Sequence, residues 1–478
     1  MPWRPPQSDK TSVEPRLEKL ERENTRLRQK VERVERERDR WKRRSERLEQ
    51  ELDAARRAGC RQAAPFAKQR RQGLGRRPGR RAGAHYGRRA CRPRPAIVDE
   101  THRAALPARC RDCGGAVAPT RMATQYQEDL PVVRPLVRRF DIEIGHCTRC
   151  RRRVQGRHRL QTSDALGAAS AGLGPRAVAL VVEMHTQLGV PLAKVAQVLR
   201  TQFQLSVTPG GLAHLLHRTA RQAAPTYDAL RGQVRASAVV TPDETSWRVG
   251  AVSHWLWTFA TPQAIVYQVR PTRGFAEAAR VLGADFSGVL VRDGWAPYRC
   301  FTAARHQTCL AHLLRRAARL AADHPHSTWV ADAKAILHAA LTLRDRRDAG
   351  QVGSHGVASV AGRLRARLDR LLNTSSTLAD VNRFAKHLDT EWDALFTFLD
   401  DPAVDATNWR AEQAIRPAVV TRKVCGGNRT RRGADTQQVL ASLVATARQR
   451  HLELAPLIDA LLRSPQPAVP ETLKTLPP

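Results

Sequence analysis

Three acids stand where acids are costly. Asp243 lies inside an apolar, strand-like run, "VVTPDETSWRV" (239–249). Asp293 closes a second apolar run in "GVLVRDGWAPY", and Glu412 opens a helix-like segment in "TNWRAEQAIRP". Two carboxylates about 4 Å apart repel by roughly 4 kcal/mol at an effective dielectric near 20. A shared cation removes that cost, and hard oxygen ligands without sulfur suit Mg²⁺ or Mn²⁺. Two such ions about 3.5–4 Å apart clamp the attacking and leaving oxygens of an in-line phosphoryl displacement. Acids at strand ends and helix N-termini also arise for local reasons, so three unrelated acids stand as the alternative. Adjacent strand residues point to opposite faces, which turns Glu244 away from Asp243. Asp405 is the rival to Glu412.

Four cysteines form a second constellation. Cys110-x-x-Cys113 and Cys147-x-x-Cys150 are separated by thirty-three residues. Paired knuckles at this spacing fit a tetrahedral, four-cysteine structural Zn²⁺ site with no open position for catalysis. Gly114 and Gly115 follow the first pair, where a tight turn needs room. The intervening "QYQEDLPVVRPLVRRFDIEIGHC" reads as strands too small to stand without the metal. Cys60, Cys91, Cys300 and Cys425 lack such pairing. "MPWRPPQSDK" has no apolar signal-peptide core and no run of eighteen apolar residues occurs, so the expected setting is the reducing cytoplasm, with no membrane span.

The elements that must position these groups read as a multidomain α+β chain. Positions 13, 17, 20, 24, 27, 31, 34, 38, 41, 45, 48, 52 and 55 recur in steps of four and three and are mostly apolar, with Arg38 and Ser45 weakening the middle of the seam. This heptad repeat implies a coiled coil over 1–58 that joins protomers as a homodimer or higher oligomer, with Asn24 setting register. A lone charged helix is the alternative. A basic linker follows (59–98); its 61–95 segment holds twelve Lys or Arg and no acid. Arg70, Arg71, Arg76, Arg77, Arg80 and Arg81 are its candidate phosphate contacts. The zinc module spans 99–165. Short helices fill 166–235, with Thr208 as an N-cap, and read either as a helix-turn-helix-like DNA-binding unit or as a plain packing module. Three strand-like runs, a helix and another strand occupy 236–312, as in the first half of a ribonuclease-H-like α/β core. Amphipathic helices form an insertion at 313–406, and 407–478 completes the core.

Charge points to the partner. The 478 residues carry 81 Lys plus Arg against 45 Asp plus Glu, a formal net charge of +36. Such an excess favours a polyanion, nucleic acid before an anionic membrane surface. Genomic preference for Arg codons explains part of it at most.

The same motifs carry a resemblance over nearly the whole chain. "TPDETSW", "VRDGWAPY", "HQTCLAHLLRR" and "NWRAEQAIRPAVVTRK", in this order behind the coiled coil and CxxC pairs, resemble transposases of the insertion-sequence-66 family, a bacterial group with a DDE catalytic triad. The resemblance implies that Asp243, Asp293 and Glu412 are the triad holding two Mg²⁺ or Mn²⁺ ions. It implies a supporting role for Cys309 and His312. It also accounts for the 119-position step from Asp293 to Glu412 by a helical insertion. Asn408, Glu412 and Arg416 share a helical face. Arg416, Arg422 and Lys423 would then lie near the metals, suited to phosphates, with Pro417 kinking or restarting the helix. The stretch from Cys425 to Arg432 departs from the family's aromatic continuation and reads as a Gly-rich, basic DNA-contact loop. The implied activity is metal-dependent strand cleavage and strand transfer at terminal inverted repeats of double-stranded DNA. Element-encoded accessory proteins and a nucleoid-associated place in the bacterial cytoplasm come with it. A catalytically silent DNA-binding regulator and a ribonuclease-H-type nuclease acting on RNA are the rivals.

Overall fold

β-branched and aromatic residues dominate alternate positions from 239 to 270, and the computed structural model folds them into a sheet. The structure describes residues 23–25, 27–28, 31–32, 34–44, 94–131, 133–164, 166, 172–374 and 376–474. The chain divides into two units, 1–76 and 77–478. In the first, the described residues between 23 and 44 are helical, and Leu27, Val31, Val34 and Trp41 are each more than half exposed. The rest of the expected coiled coil lies outside the described residues, as do Arg70, Arg71, Arg76, Arg77, Arg80 and Arg81.

The second unit opens with a two-stranded antiparallel ribbon, β1 (Ile144–His146) and β2 (Arg153–Gln155). Of the strands expected through 125–147, only β1 forms; the described residues of 125–143 hold none. Pro131 and Pro135 interrupt any hydrogen-bond ladder there, and Leu130, Leu136 and Val137 stay exposed, with no face to bury. Four helices follow: α1 (Pro175–Val182), which continues as a π-helical turn, α2 (Leu192–Phe203), α3 (Pro209–Gln222) and α4 (Ala224–Arg235). Thr208 caps α3, its hydroxyl accepting from the Gly211 N–H at 3.0 Å. Helices α1 to α3 share one core with the C-terminal helices, through Val178, Leu199 and Leu212 against Leu440, Leu443 and Ile458.

The main sheet contains β3 (Val239–Val249), β4 (Val252–Ala260), β5 (Ile265–Arg270), β6 (Val289–Arg292) and β7 (Arg305–Thr308), in the order β5-β4-β3-β6-β7. The first three form an antiparallel meander; β3, β6 and β7 run parallel. One face packs Val240, Trp257 and Phe259 on α4 and on α5 (Phe275–Leu282). The other packs Trp247, Val249 and Leu256 on α11 (Trp409–Cys425) and α12 (Arg431–Gln449). Strand β7, "RHQT", escapes the sequence reading because it has no apolar run, although Gln307 and Thr308 are fully buried.

Between β7 and α11 stand α6 (Leu310–Asp323), α7 (Thr328–Asp348), α8 (Ser354–Leu372), α9 (Ala379–Thr390) and the short α10 (Thr397–Asp400). Their core of Leu313, Ile336, Leu337, Phe384 and Phe398 includes Val289 and Val291 of β6. A buried ion pair adds to this seam: Arg292 Nη2 lies 2.8 Å from Glu391 Oε2, and both side chains are almost wholly excluded from water. Arg299 and Thr308 also reach the Glu391 carboxylate, at 2.8 and 2.6 Å. Burial pushes the Glu391 carboxyl up, but the combined pull of these partners wins and holds it below the usual glutamate range.

Helix α11 continues through Pro417, so it does not restart there. Proline removes the bond to the carbonyl four residues back, and that residue, Gln413, is on the exposed side where water can replace it. Gly426 ends the helix at φ +75°. Gly427 has φ +108°, and a Cβ there would stand 2.4 Å from the Arg248 carbonyl oxygen. This close approach clips the loop to the β3–β4 turn: Asn428 N–H donates to Arg248 O at 2.9 Å and Trp247 Nε1 donates to Asn428 Oδ1 at 2.8 Å. The part of this loop expected to touch DNA is therefore partly internal, while Arg429, Arg431 and Arg432 are exposed. Helices α13 (Leu454–Arg463) and α14 (Glu471–Lys474) complete the chain.

Replacing Glu391 by Ala leaves Arg292 buried without its counter-charge. The expected loss is about 3–5 kcal/mol, measured by denaturant unfolding of the variant. A loss below about 1 kcal/mol would show that the pair does not fasten the insertion.

Candidate catalytic site

Strand register brings the first two acids together. Val239 pairs with Val289 and Val240 with Leu290 in the parallel ladder. Asp243 and Asp293 each lie four positions beyond a paired valine, so the register sets them level, Asp243 within β3 and Asp293 just past the end of β6. Asp243 shares its sheet face with Trp247 and Val249, the face that receives α11. Glu412 is in the first turn of α11.

Two helix starts are then stapled to the end of β6. Cys309 precedes α6, and its N–H donates to Arg292 O at 2.8 Å. Leu310 N–H donates to Ala406 O at 3.0 Å, and the Asn408 N–H donates to Cys309 Sγ at 3.4 Å. Asn408 is the residue before α11 and is 1% exposed. The buried Cys309 thiol is pushed up to about 11, chiefly by burial. It therefore stays protonated and neutral, a linker between helix starts rather than a thiolate ligand.

The electrostatics are those of crowded negative charge. Burial raises the Asp243 carboxyl well above the ordinary aspartate value, and Glu244, Asp293 and Glu412 push it further. Its Oδ1 accepts the Glu244 N–H at 2.9 Å, while Asp293 Oδ1 accepts the Trp295 N–H at 3.0 Å. Glu412 Oε1 lies 3.3 Å from Arg315 Nη2 and 3.9 Å from His312 Nε2. Burial and then Arg315 hold the His312 ring below the usual histidine range, against the opposing pull of Asp293 and Glu412. Gly294, beside Asp293, has the His387 imidazole against it; a Cβ would meet that ring at 2.6 Å.

The competing acids are engaged elsewhere. Glu244 lies on the opposite face, with Arg273 Nη2 at 2.6 Å and the Tyr298 hydroxyl bonded to its other oxygen. Asp405 is paired with Arg410 Nε at 2.8 Å. Arg422, expected to await phosphate, instead bonds Thr245 Oγ1 at 2.8 Å and Ser246 O at 2.6 Å, two and three residues along β3 from Asp243. Arg416 and Lys423 are exposed on α11. Sequence reasoning missed Arg315, although it falls one turn after His312 in "HLLRR", and Thr258, which faces Asp243 across β3 and β4.

The donor chemistry fits hard divalent cations. Asp243, Asp293 and Glu412 offer oxygen atoms alone, and the Asp243 carboxyl is raised by burial and by the charges of Glu244, Asp293 and Glu412. Buried polar atoms without a protein partner gather here too: Thr258 Oγ1, Asn408 Oδ1 and His312 Nδ1. Among the described residues, no three His, Cys, Asp or Glu side chains close into a metal cage. The two cysteine pairs are folded alike. Cys110 N–H donates to Gly115 O and Gly114 N–H to Cys110 O; Cys147 N–H donates to Arg152 O and Arg151 N–H to Cys147 O, all at 2.8–2.9 Å. Backbone donors from Asp112 and Cys113 lower the Cys110 thiol, and those from Cys150 and Arg149 lower Cys147.

Comparison with known proteins decides the family. A model of the Transposase IS66 family matches residues 171–436, more than half of the chain and all three acids. The chain belongs to the IS66 transposase family. Two uncharacterized proteins of Sinorhizobium fredii (strain NBRC 101917 / NGR234) are similar to this transposase. The protein y4jD is 27% identical over 391 residues, 74% of each chain, and y4qI is 28% identical over 232 residues, 42% of this chain and 41% of its own. The family makes the protein a DNA-binding transposase. Among the described residues, no helix is long and apolar enough to cross a membrane.

The carboxylate cluster has a pH signature. A raised folded-state carboxyl contributes stability that is present below its unfolded value, near 3.9, and is lost as pH rises through the folded value. In metal-free buffer near neutral pH, Asp243→Asn should therefore raise the melting temperature by a few degrees. The gain should shrink as pH falls toward the ordinary aspartate range. Equal melting temperatures for the two proteins at pH 7 would contradict the crowding.

Proposed function

We propose that the transposase cuts and joins DNA through Asp243, Asp293 and Glu412 as a DDE triad. The observation that carries this reading is the level register of Asp243 and Asp293, together with the charges of Asp293 and Glu412 that both raise the Asp243 carboxyl. Two Mg²⁺ or Mn²⁺ ions would supply activation of the attacking oxygen and stabilisation of the leaving one. The three carboxylates would hold them, with His312 and Arg315 orienting Glu412. In cleavage, water adds to the phosphorus at the element's end and the 3′-oxygen leaves as a free hydroxyl. In strand transfer, that hydroxyl adds to a target phosphodiester while the target's own 3′-oxygen departs. One P–O bond forms and one breaks in each step, and no protein–DNA bond is needed.

The antiparallel meander extended by two parallel strands supports a ribonuclease-H-like core, with α6 to α10 as its insertion. Arg416, Lys423 and the basic run with Arg70, Arg71, Arg76, Arg77, Arg80 and Arg81 would hold phosphates of the terminal inverted repeats and the target. The matched turns at Cys110 and Cys147 support one structural Zn²⁺ shared with Cys113 and Cys150. The exposed apolar stripe of the N-terminal helix supports a coiled-coil homodimer or higher oligomer, so that two ends are cut together. Action at the nucleoid of the bacterial cytoplasm, with element-encoded accessory proteins, is part of this reading.

The deciding experiment is cleavage and strand transfer with end DNA and Mn²⁺. Asp243→Asn and Glu412→Gln should each lower the rate by at least about 10²-fold while DNA binding persists. If both variants cut at the wild-type rate, the triad is wrong; if wild type binds ends but never cuts, the chain is a regulator. Elemental analysis should find one Zn per chain, lost in Cys110→Ser together with part of the melting temperature. Undiminished zinc in that variant would remove Cys110 from the site.

A further inference from the structure

Trp409 has the wrong exposure for its size. Tryptophan buries more apolar surface than any other side chain when it can. The others described in the 77–478 unit (Trp247, Trp255, Trp257, Trp295, Trp329 and Trp392) are buried or partly buried, whereas Trp409 is 46% exposed. It opens α11, one turn before Glu412 and two before Arg416, so the three share a helical face.

The ring is also braced. The Arg410 guanidinium sits 4.8 Å from its centroid, and Arg410 is itself fixed by Asp405 at 2.8 Å. An arginine stacked on an indole and tied by a carboxylate holds the ring in place and adds a cation beside it. Packing explains none of this, because Trp409 belongs to none of the hydrophobic clusters that α11 joins through Ile415, Ala418 and Val419. Arg315 and Arg416 lie along the same approach to Glu412.

We propose that Trp409 is a stacking platform for an unpaired DNA base beside the scissile phosphate. The braced ring offers a half-exposed π surface, and Arg410, Arg315 and Arg416 supply positive charge for the phosphates that flank the base. Within a duplex both faces of a base are already stacked, so the indole selects a base that has left its pair or ends a strand. Stacking on an aromatic is tolerant of base identity, because every base has a π face. The platform therefore sets where the strand is held relative to Glu412, not which sequence is bound. Asp405, a mere rival acid in the sequence, becomes the residue that steadies the brace. This inference rests on the catalytic reading above.

The test uses full-length protein and end DNA with 2-aminopurine placed singly at each position around the cleavage point. Fluorescence is read in EDTA, where no cutting occurs, and cleavage is read separately with Mn²⁺. Wild type should change the emission at one flanking position, and Trp409→Ala should abolish that change and slow cleavage about 5- to 100-fold. Trp409→Phe should keep most of both, and its retention separates stacking from a folding defect. Wild-type fluorescence and cleavage in Trp409→Ala would overturn the proposal. So would an unaltered fluorescence pattern coupled to a changed sedimentation of the DNA-free variant, which would assign the ring to a contact between protomers. The arms are separable: normal cutting by Asp243→Asn defeats the triad, whereas a dead Asp243→Asn with a fully active Trp409→Ala defeats only the platform.

Discussion

Asp243, Asp293 and Glu412 repel one another, and the fold around them leaves none of the three free to retreat. Asp243 lies within an eleven-residue strand bonded on both sides. Asp293 follows the last residue of a strand whose four positions are all buried. Glu412 cannot withdraw unless α11 does, and α11 is seated on the sheet by Ile415, Ala418 and Val419. Burying those apolar groups contributes on the order of 25 cal/mol per Å², and this is the favourable term against which the carboxylate repulsion must be set. The site is a local expense carried by a large surrounding core.

The helical insertion has to begin and end at this same place. It leaves the sheet after β7 and returns at Asn408, and the two points are joined through Cys309. The Arg292–Glu391 pair holds a third point, immediately before Asp293 in sequence. A buried ion pair adds little net stability over an apolar replacement, but it tolerates few geometries, since each charge must keep its hydrogen bonds. Positional control of the Asp293 backbone is the consequence that matters for chemistry.

Much of this was legible in the sequence, and the misses have physical causes. Asp243, Asp293 and Glu412 were recognisable because acids interrupt apolar runs or open an amphipathic helix. The expectation that Asp243 and Asp293 lie on neighbouring strands rested on strand order, and β3 does pair with β6. Strand β7 was invisible because an edge strand buried by Gln307 and Thr308 has no apolar alternation to detect. The pairing of Arg292 with Glu391 spans ninety-nine positions, and nothing local marks either residue as buried. Pro417 does not restart the helix, because the carbonyl that it leaves without a helical bond, Gln413, is on the exposed side. Of the strands expected between the cysteine pairs only β1 forms; upstream of it two prolines and the lack of a partner face leave nothing to pair.

The net charge of +36 looks different once the arginines are placed. Arg273 neutralises Glu244, Arg292 and Arg299 neutralise Glu391, and Arg422 bonds β3. These cations serve the fold, and a phosphate could recruit them only by breaking it. Arg416, Lys423, Arg429, Arg431 and Arg432 are exposed along α11 and the loop that follows it. Positive charge near the acids thus divides into an inner set that fixes geometry and an outer set exposed at the surface. The division has a mechanistic sense. If the inner arginines were free to swing toward phosphates, they would also be free to pair with Asp243 and Asp293, and the protein itself would cancel the negative charge of those acids. Keeping Arg273, Arg292, Arg299 and Arg422 bound to Glu244, Glu391 and β3 leaves Arg315, on Glu412, as the one arginine paired with an acid of the cluster among the described residues.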